Sequence, residues 1–553
     1  MTAAPDPTLR VRWLGRVEYD EAWDLQRAIW EGKTVGRSDD DYLLLLEHPH
    51  TYTVGRNGDG SNLTIDRSLL SAVGATIHDV DRGGDITYHG PGQLVGYPIV
   101  DVPRLPGGLF DAVGHVRRLE ELLIAVLAGF GIDAWAEDGY TGVWTGSGKI
   151  AAIGVRVSRG VSTHGFALNV DPDMSYFQNI VPCGIVGRPV TSMREVLDRK
   201  VSVAEVVDAL LAEVGRLSPC AATETQLGAF ARGTGAASYE VDRLVASGVF
   251  SPSRRDEVPV TIRGALAGEP EKPSWMKVKL DLTDPRFMEL KKLNKDLGLN
   301  TVCEEAGCPN IYECWSSGTS TLMLLGDVCT RACSFCDVNT GKPGAIDWDE
   351  PVRAASAIEA MGLRHAVLTS VNRDDLEDGG ATVFALTIHE IRERLPECDV
   401  EVLIPDFKGS TEALDIVMAA KPAVLNHNTE TVLRLQRDIR TAANYARSLT
   451  VLARAKWTHP TVTVKSGLIV GMGETDAEII GALADLNAVG VDVVTIGQYL
   501  RPTAGHRPVD RYVDPSVFDD YKVAGEAFGL SHVESGPLVR SSYHAREALE
   551  ATV

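Results

Sequence analysis

Nowhere in the 553 residues is there a run of eighteen apolar side chains, and the N-terminus lacks the basic-then-apolar pattern of a secretion signal. A cytoplasmic protein with no membrane partner is therefore expected. Positive charge is in short supply: 54 Lys and Arg against 76 Asp and Glu leave a net charge of -22 and a pI near 5.1. Phosphodiester backbones are bound through Lys and Arg that neutralise phosphates, so no nucleic-acid partner is expected. An acidic protein partner would have to meet a local basic patch. Nucleotide-binding glycine signatures are missing too. The glycine-rich segment RGGDITYHGPGQLVGYPIVDV, residues 82–102, has neither the spacing of a phosphate loop nor that of a dinucleotide fold. Cysteine is scarce, at nine residues, and an odd number in a chain without a secretion signal argues for reduced thiols rather than a disulfide framework.

What cysteine there is lies together. Six of the nine fall within 34 residues, as Cys303, Cys308 and Cys314 (C-x4-C-x5-C) and as Cys329, Cys333 and Cys336 (C-x3-C-x2-C). Each trio leaves a fourth coordination position unfilled. A structural zinc site closes all four positions, usually with paired C-x2-C knuckles, whereas a cubane held by three cysteines keeps one iron free to bind something else. The spacings favour iron and sulfide over a zinc module, which stands as the alternative.

The length predicts two to four domains. Between about 218 and 271 the chain is rich in Gly, Ala, Ser, Pro and charge, and we read it as a linker with a short helix near 239–249. Before it, residues 1–217 mix element types. Helical patterns occur at 20–32 and 112–130, the second with Leu119, Leu122, Leu123, Val126 and Leu127 on one face, and strand patterns at 42–46, 75–80, 94–101, 150–158 and 162–170. This is an α+β domain with a mixed sheet. After it, residues 272–553 alternate: apolar runs at 321–326, 365–370, 399–404, 422–426, 462–470 and 491–498 are each followed by a helical pattern. Six βα units predict an α/β partial barrel whose chemistry sits at the C-terminal ends of its strands, where the second cysteine trio falls.

Cys329, Cys333 and Cys336, with Phe335, resemble the signature of the radical S-adenosylmethionine (radical SAM) enzymes, and Gly467, Ile469, Gly471 and Glu474 fit that family's fifth-strand pattern G-x-I-x-G-x-x-E. The resemblance implies that the three thiolates hold a 4Fe-4S cluster, that its free iron chelates S-adenosylmethionine, and that the strand-five residues receive the cofactor. VCEEAGCPNIYECW at 302–315 together with RSSYHA at 540–545 resembles the lipoyl synthases, from about residue 272 to the end. That resemblance implies a second 4Fe-4S cluster on Cys303, Cys308 and Cys314, with a serine oxygen as fourth ligand. The segment Arg540, Ser541, Ser542 and Tyr543 offers two serines, of which we favour Ser542. A hydroxyl is a weaker iron ligand than a thiolate, which suits a cluster consumed as the sulfur donor to carbons 6 and 8 of a protein-bound octanoyl chain. The polar loops SVNRDDLEDGG, ending at Gly380, and LNHNTET around His427 are expected near S-adenosylmethionine or the acyl-lysine, and Cys398 is expected to be a small core residue.

Lys149 in GSGKIAAIGV, His164 in STHGFALNV and Cys183 in NIVPCGIVGRPVTS, together with the 82–102 segment, resemble the octanoyltransferases of the lipoate and biotin protein ligase superfamily over residues 10–217. The resemblance implies that Cys183 carries octanoate as a thioester and that Lys149 is its partner. A neighbouring ammonium stabilises a thiolate, and the same amine can then deprotonate the attacking lysine. It also implies substrate contacts from Arg82, Gly83, Gly84, Asp85, Ile86, Thr87, Tyr88 and His89, from Ala152, Ile153 and Gly154, and from Gly165, Phe166 and Ala167. Cys220, in the linker composition, has no partner that the sequence names. The partners implied are octanoyl-acyl-carrier protein, the lipoyl domains of 2-oxoacid dehydrogenases, the glycine cleavage H protein, and an electron donor such as ferredoxin or flavodoxin. An ATP-dependent lipoate or biotin ligase is the alternative for the N-terminal half. It would have no need of Cys183.

Overall fold

Residues 8–16 alternate between two buried faces, and they form the strand on which the first sheet is laid down. The structure, a computed structural model, describes residues 7–182, 187–218, 220, 222–227, 270–276, 285–301, 304, 310–311, 321–543 and 545–550. They fall into two units, one within Asp6–Glu240 and one within Val241–Val553. Among the described residues no helix is long and apolar enough to cross a membrane.

In the first unit the strands are β1 (Thr8–Arg16), β2 (Asp41–Glu47), β3 (Thr51–Val54), β4 (Thr76–Asp79), β5 (Ile86–His89), β6 (Gln93–Ile99), β7 (Ala134–Glu137), β8 (Tyr140–Thr145), β9 (Gly148–Ser158), β10 (Val161–Asn169) and β11 (Ala222–Gln226). Eight of them make one mixed sheet in the order β11-β1-β2-β6-β10-β9-β8-β7, and β4-β3-β5 make a small second sheet. Period-two burial divides the large sheet's faces. Leu43 and Leu45 of β2 join the core under α2 (Ala112–Gly129) and α4 (Val203–Glu213), which includes Leu119, Leu122, Leu123, Val126 and Leu127. Leu44 and Leu46 are buried on the other face, towards α1 (Tyr19–Thr34), which packs on β6 and β10. A short α3 (Met193–Leu197) begins with a capping box between Ser192 and Glu195.

The expected elements at 20–32, 112–130, 42–46, 75–80, 94–101, 150–158 and 162–170 all form. One expectation needs correction: residues 222–226, inside the interval read as a linker, are β11, paired parallel with β1 from Thr8↔Ala222 to Arg12↔Gln226. ATETQ looks like a loop because its inward side chain is charged. Glu224 is buried against the guanidiniums of Arg12 and Arg10, and Arg10 Nε also meets Asp40 at 2.6 Å. Composition cannot distinguish a buried ion-paired glutamate from a solvated one. Cys220 likewise has surroundings the sequence did not name: it packs on the main core, and its Sγ lies 3.6 Å from Asp41 Oδ2. The helix expected at 239–249 lies outside the described residues.

In the second unit a helix α5 (Pro285–Asp296) precedes β12 (Asn300–Thr301), β13 (Thr321–Leu324), the small pair β14 (Val328–Cys329) and β15 (Asn339–Thr340), β16 (His365–Ser370), β17 (Asp399–Leu403), β18 (Val424–Asn426), β19 (Thr463–Val470), β20 (Val493–Gln498) and β21 (His532–Ser535). The sheet runs β12-β13-β16-β17-β18-β19-β20-β21, parallel from β13 onward, with β12 antiparallel at its edge. All six expected strands are present and β21 adds a seventh parallel one. The intervening helices are α6 (Glu350–Met361), α7 (Ala381–Arg394), α8 (Thr411–Ala419), α9 (Tyr445–Thr458), α10 (Asp476–Ala488) and α11 (Pro515–Phe528). The fold is a partial barrel of the radical SAM type. Cys398, buried between α7 and β17, is the core residue expected.

Ion pairs between β17 and β19 cross the interior of this sheet. Lys465 Nζ lies 3.0 Å from Glu401 Oε1, which also accepts from Asn426 Nδ2 at 3.0 Å, and His365 Nε2 is 3.5 Å from Oε2. Burial raises the Glu401 carboxyl, but the Lys465 charge and the neighbouring donors outweigh it and hold it below its ordinary range. Lys465→Met, which strands that carboxylate, is expected to destabilise the second unit by about 3–5 kcal/mol, while Lys465→Met with Glu401→Leu recovers most of the loss. Urea unfolding of the three proteins measures it; equal losses in the single and double variants contradict the pairing.

Candidate functional site

Each unit carries a cavity built from segments distant in sequence. In the first, strands β5, β9 and β10 bring Arg82, Gly84, Asp85, Thr87, His89, Ala152, Ile153, Gly154, Gly165, Phe166 and Ala167 around one space of about 40 Å³. All are residues expected to contact substrate. Ile86 and Tyr88 are not on this wall: alternation along β5 turns them into the core of the small sheet with Tyr52 and Val54. Gly83 does not line it either; its N–H is donated to the Val155 carbonyl at 3.0 Å. The close approach of backbones explains two glycines. A side chain at Gly165 would overlap the carbonyl of Gly96, and one at Gly96 would overlap the Phe166 ring.

Three lining residues went unassigned in the sequence: Tyr19, Tyr97 and His164. They belong to a buried polar layer. His48 Nε2 and Tyr97 Oη are 2.8 Å apart, His48 Nδ1 is 2.8 Å from the Val17 carbonyl, and Arg82 Nη2 donates to the Thr53 carbonyl at 2.7 Å. Burial lowers the His48 imidazole to about 4 and drives His89 well below its ordinary value, so both are neutral. The sequence singled out His164 in STHGFALNV and quoted Tyr97 within the 82–102 segment without giving either a role; nothing marked Tyr19. His164, at φ 57°, places Nε2 2.8 Å from Asp81 Oδ1. That hydrogen bond, more than burial opposing it, keeps the Asp81 carboxyl below its ordinary value.

Lys149 is buried at the start of β9 and does not line the cavity. Its N–H donates to the Pro189 carbonyl at 2.9 Å and its carbonyl accepts from Thr191 N–H at 3.0 Å, so the strand is tied to a segment six residues beyond Cys183. Its Nζ sits 5.6 Å from the centre of the Trp144 ring. Cys183 lies outside the described residues, as do Cys303, Cys308 and Cys314.

In the second unit two cavities meet at the C-terminal ends of the parallel strands. One, of about 240 Å³, is lined by Cys329, Cys333 and Cys336 together with Arg331, Asn372, Asp406, His427 and Arg440. The other, of about 390 Å³, is lined by Gly467, Ile469, Thr495, Gly497, Gln498, Tyr499, Arg501, Arg540 and Ser541. Phe335, Cys336, Asn428 and Glu430 line both, so the two spaces share a wall. The three sulfurs fit a 4Fe-4S cluster. They are free thiols, and Cys329 Sγ accepts from the N–H groups of Arg331 and Asn372, both at 3.4 Å. Such donors stabilise ligated thiolates. Among the described residues no three His, Cys, Asp or Glu side chains gather closely enough for a single metal ion. Three thiols on one cavity leave a fourth position open, as a cubane held by three cysteines requires, whereas a structural zinc site closes all four. Burial raises the Cys333 thiol, against the pull of Arg440, and pushes Cys336 up to about 12.

The floor of the second cavity is kept open by glycines. A side chain at Gly467 would meet Asn428 Oδ1 at 2.6 Å and Thr495 Oγ1 at 2.9 Å, and one at Gly497 would overlap the Val539 carbonyl. Asn428 Oδ1 and the Gly-lined floor leave a polar acceptor buried without a protein partner. Gly471 and Glu474 do not line it. Gly471 turns at φ 102° and Glu474 accepts from the N–H groups of Gly471 and Met472, so this pair shapes the turn after β19.

The LNHNTET loop does reach the cavities, through Asn428, Glu430 and His427, whose two ring nitrogens are both engaged: Nδ1 contacts the Ile404 carbonyl at 2.9 Å and Nε2 contacts Ser448 Oγ at 3.0 Å. Ser541 Oγ accepts from Asn428 Nδ2 at 2.7 Å and faces the larger cavity. Ser542 Oγ accepts from Thr321 Oγ1 at 2.9 Å, seven residues beyond Cys314. Tyr499, Arg501 and Arg331 were not singled out; their signal was a position just after an apolar strand.

The family model of the lipoyl protein ligase A/B catalytic domain matches residues 18–215, and that of the Radical SAM superfamily matches residues 323–486. A lipoyl synthase of Rubrobacter xylanophilus is 54% identical over 283 residues, covering 51% of this chain and 88% of that protein. One of Symbiobacterium thermophilum is 54% identical over 291 residues (53% and 91%), and one of Thermus thermophilus 52% over 304 residues (54% and 94%). Glu474→Ala, which leaves the Gly471 and Met472 N–H groups without their acceptor, is expected to cost about 1–3 kcal/mol of stability in the second unit. Thermal unfolding read by tryptophan and circular dichroism decides it, an unchanged transition being the contrary result.

Proposed function

The chain belongs to the lipoyl synthase family, and from that premise we propose that it carries out two consecutive steps of lipoate assembly on one protein-bound acyl chain. An octanoyltransferase domain extends to about Gln226, a lipoyl synthase domain runs from about 272, and a linker joins them. The observation that carries the reading is the pair of adjoining cavities, one with three thiols and one floored by glycine, at the strand ends of a partial barrel.

In the first step Cys183 attacks the thioester of octanoyl-acyl-carrier protein, releases the carrier thiol and holds the octanoyl group as its own thioester. Lys149 stabilises the Cys183 thiolate and later takes the proton from the lysine of a lipoyl domain as that amine attacks. The acyl chain lies against Ala152, Ile153, Gly154, Gly165, Phe166 and Ala167, and the neutral layer of His48, His89 and Tyr97 excludes water from it. Lipoyl domains of 2-oxoacid dehydrogenases and the glycine cleavage H protein are the acceptors.

In the second step Cys329, Cys333 and Cys336 hold one 4Fe-4S cluster, and Cys303, Cys308, Cys314 and Ser542 hold another. When bound, the clusters would supply the electrons that cleave two molecules of S-adenosylmethionine to methionine and a 5′-deoxyadenosyl radical, which takes one hydrogen atom from each of carbons 6 and 8 to leave 5′-deoxyadenosine, and the sulfur that fills the two positions. Phe335, Gly467 and Ile469 receive S-adenosylmethionine, Glu430 and Asn428 border it, and the Gly471–Glu474 turn keeps β19 in place beneath it. A ferredoxin or flavodoxin is the electron source.

The test is an anaerobic assay of the reconstituted full chain with octanoyl-carrier protein, a lipoyl domain, S-adenosylmethionine and reductant, following the lipoyl domain by mass. An octanoyl gain followed by two sulfurs is expected. Cys183→Ser abolishes the first gain yet still sulfurates a pre-octanoylated domain, whereas Cys333→Ala does the reverse. Lys149→Ala slows octanoyl transfer by about 10²–10⁴-fold. A Cys183→Ser protein that acylates with ATP and free octanoate overturns the transferase assignment in favour of a ligase.

A further inference from the structure

The loop Cys329–Cys336 has two halves, held in different ways. Its second half is fixed by backbone: Ser334 N–H donates to the Ile439 carbonyl at 3.0 Å and the Ser334 carbonyl accepts from Arg507 N–H at 3.0 Å. Its first half has backbone ties as well, Thr330 N–H donating to the Asn372 carbonyl at 3.0 Å and the Cys329 carbonyl accepting from Gly341 N–H at 3.0 Å, and adds a charge. Arg331, between Cys329 and Cys333, is buried, and its guanidinium grips two carboxylates from two different strand ends. Nε and Nη2 meet Asp374 at 2.7 and 2.8 Å, after β16, and Nη2 meets Asp406 Oδ1 at 2.7 Å, after β17. Thr330 adds to the same clasp, its Oγ1 donating to Asp374 Oδ2 at 3.1 Å. Asp406 is itself held by backbone: its Oδ1 also accepts from Lys408 N–H at 3.0 Å.

We infer that Arg331 is a positioning residue for the thiol loop: forked between Asp374 and Asp406, it clamps Cys329 and Cys333 onto two strand ends so that the three sulfurs surround one cavity before iron arrives. The inference rests on the reading of these thiols as cluster ligands. Planarity is what matters. A guanidinium presents parallel N–H groups in a fixed fork and spans two carboxylates, while an ammonium is a single point charge on a flexible stem. Arg331→Lys therefore keeps the charge, which leaves the electrostatics of the site nearly unchanged, and removes the geometry. Loss of a residue that orients metal ligands lowers retention of the metal by about 10–100-fold.

The experiment uses the full chain, reconstituted anaerobically and challenged with an iron chelator. Residue-resolved alkylation with iodoacetamide then reports the peptide bearing Cys329, Cys333 and Cys336, and the peptide bearing Cys303, Cys308 and Cys314 serves as internal control. Electron paramagnetic resonance of the reduced protein with and without S-adenosylmethionine reports the geometry of the cluster that binds it. In Arg331→Lys the first peptide is expected to lose protection at a chelator concentration about 10–100-fold lower than in the parent, with the control peptide unchanged and the S-adenosylmethionine-induced spectral shift reduced. Asp374→Asn, whose parent carboxylate is partly exposed and whose loss leaves the Arg331 contact to Asp406, is expected to show the same change in smaller measure and to fold normally. Unchanged protection and spectra in Asp374→Asn, or loss in Arg331→Lys that is equal at both peptides, overturns the positioning role. A parent whose Cys329 peptide is never protected overturns the cluster reading instead.

Discussion

A buried guanidinium between two buried or half-buried carboxylates is the interaction on which the second unit's chemistry depends. In a parallel sheet every strand ends on the same side, so the loops after β13, β16, β17, β18, β19 and β20 are delivered to one rim, but nothing in that topology tells flexible loops how to lie. Arg331 resolves this for three of them at once, because it belongs to the loop after β13 and binds the loops after β16 and β17. The arrangement is stable only while complete. Burial alone would raise Asp406, yet the Arg331 hydrogen bond and charge hold its carboxyl at about 2. The cost of desolvating these charges is recovered through several hydrogen bonds per group rather than by Coulomb attraction alone.

The first unit shapes its cavity by other means. Its cavity is shaped by missing side chains at Gly154 and Gly165, across which backbones approach, and by a polar layer whose histidines burial keeps uncharged. Tyr97 and His48 satisfy one another there, so the layer costs little in unpaired groups and stays rigid. In both units the cavity walls are set by buried polar contacts. In each, the geometry of the strands supplies position and a few charged or glycine residues supply the detail.

Where a stretch buries one apolar face, its pattern was legible. Leu119 to Leu127 announced α2, and six apolar runs announced the parallel strands of the second unit. Where burial is achieved by charge, the pattern misled: β11 reads as linker because Glu224 faces inward to Arg10 and Arg12. The same holds at the site. Cys329, Cys333, Cys336, Phe335, Gly467 and Ile469 were found from motif spacing and do come together, while Gly471 and Glu474, from the same motif, sit behind the wall as turn residues. Ile86 and Tyr88 fail for a simple reason: a contiguous motif on a strand sends alternate side chains to opposite faces.

Which elements form, which residue types carry the chemistry and how the six clustered thiols divide into threes were all determined by local order along the chain, because periodicity and motif spacing are properties of neighbours in sequence. What only the tertiary structure decided is which of those residues share a cavity. Arg331 with Asp374 and Asp406, Asn428 with Ser541, and Tyr19 with Tyr97 and His164 are pairings across tens to hundreds of residues. They exist because packed strands bring distant loops within hydrogen-bond reach and exclude the water that would otherwise satisfy each group alone.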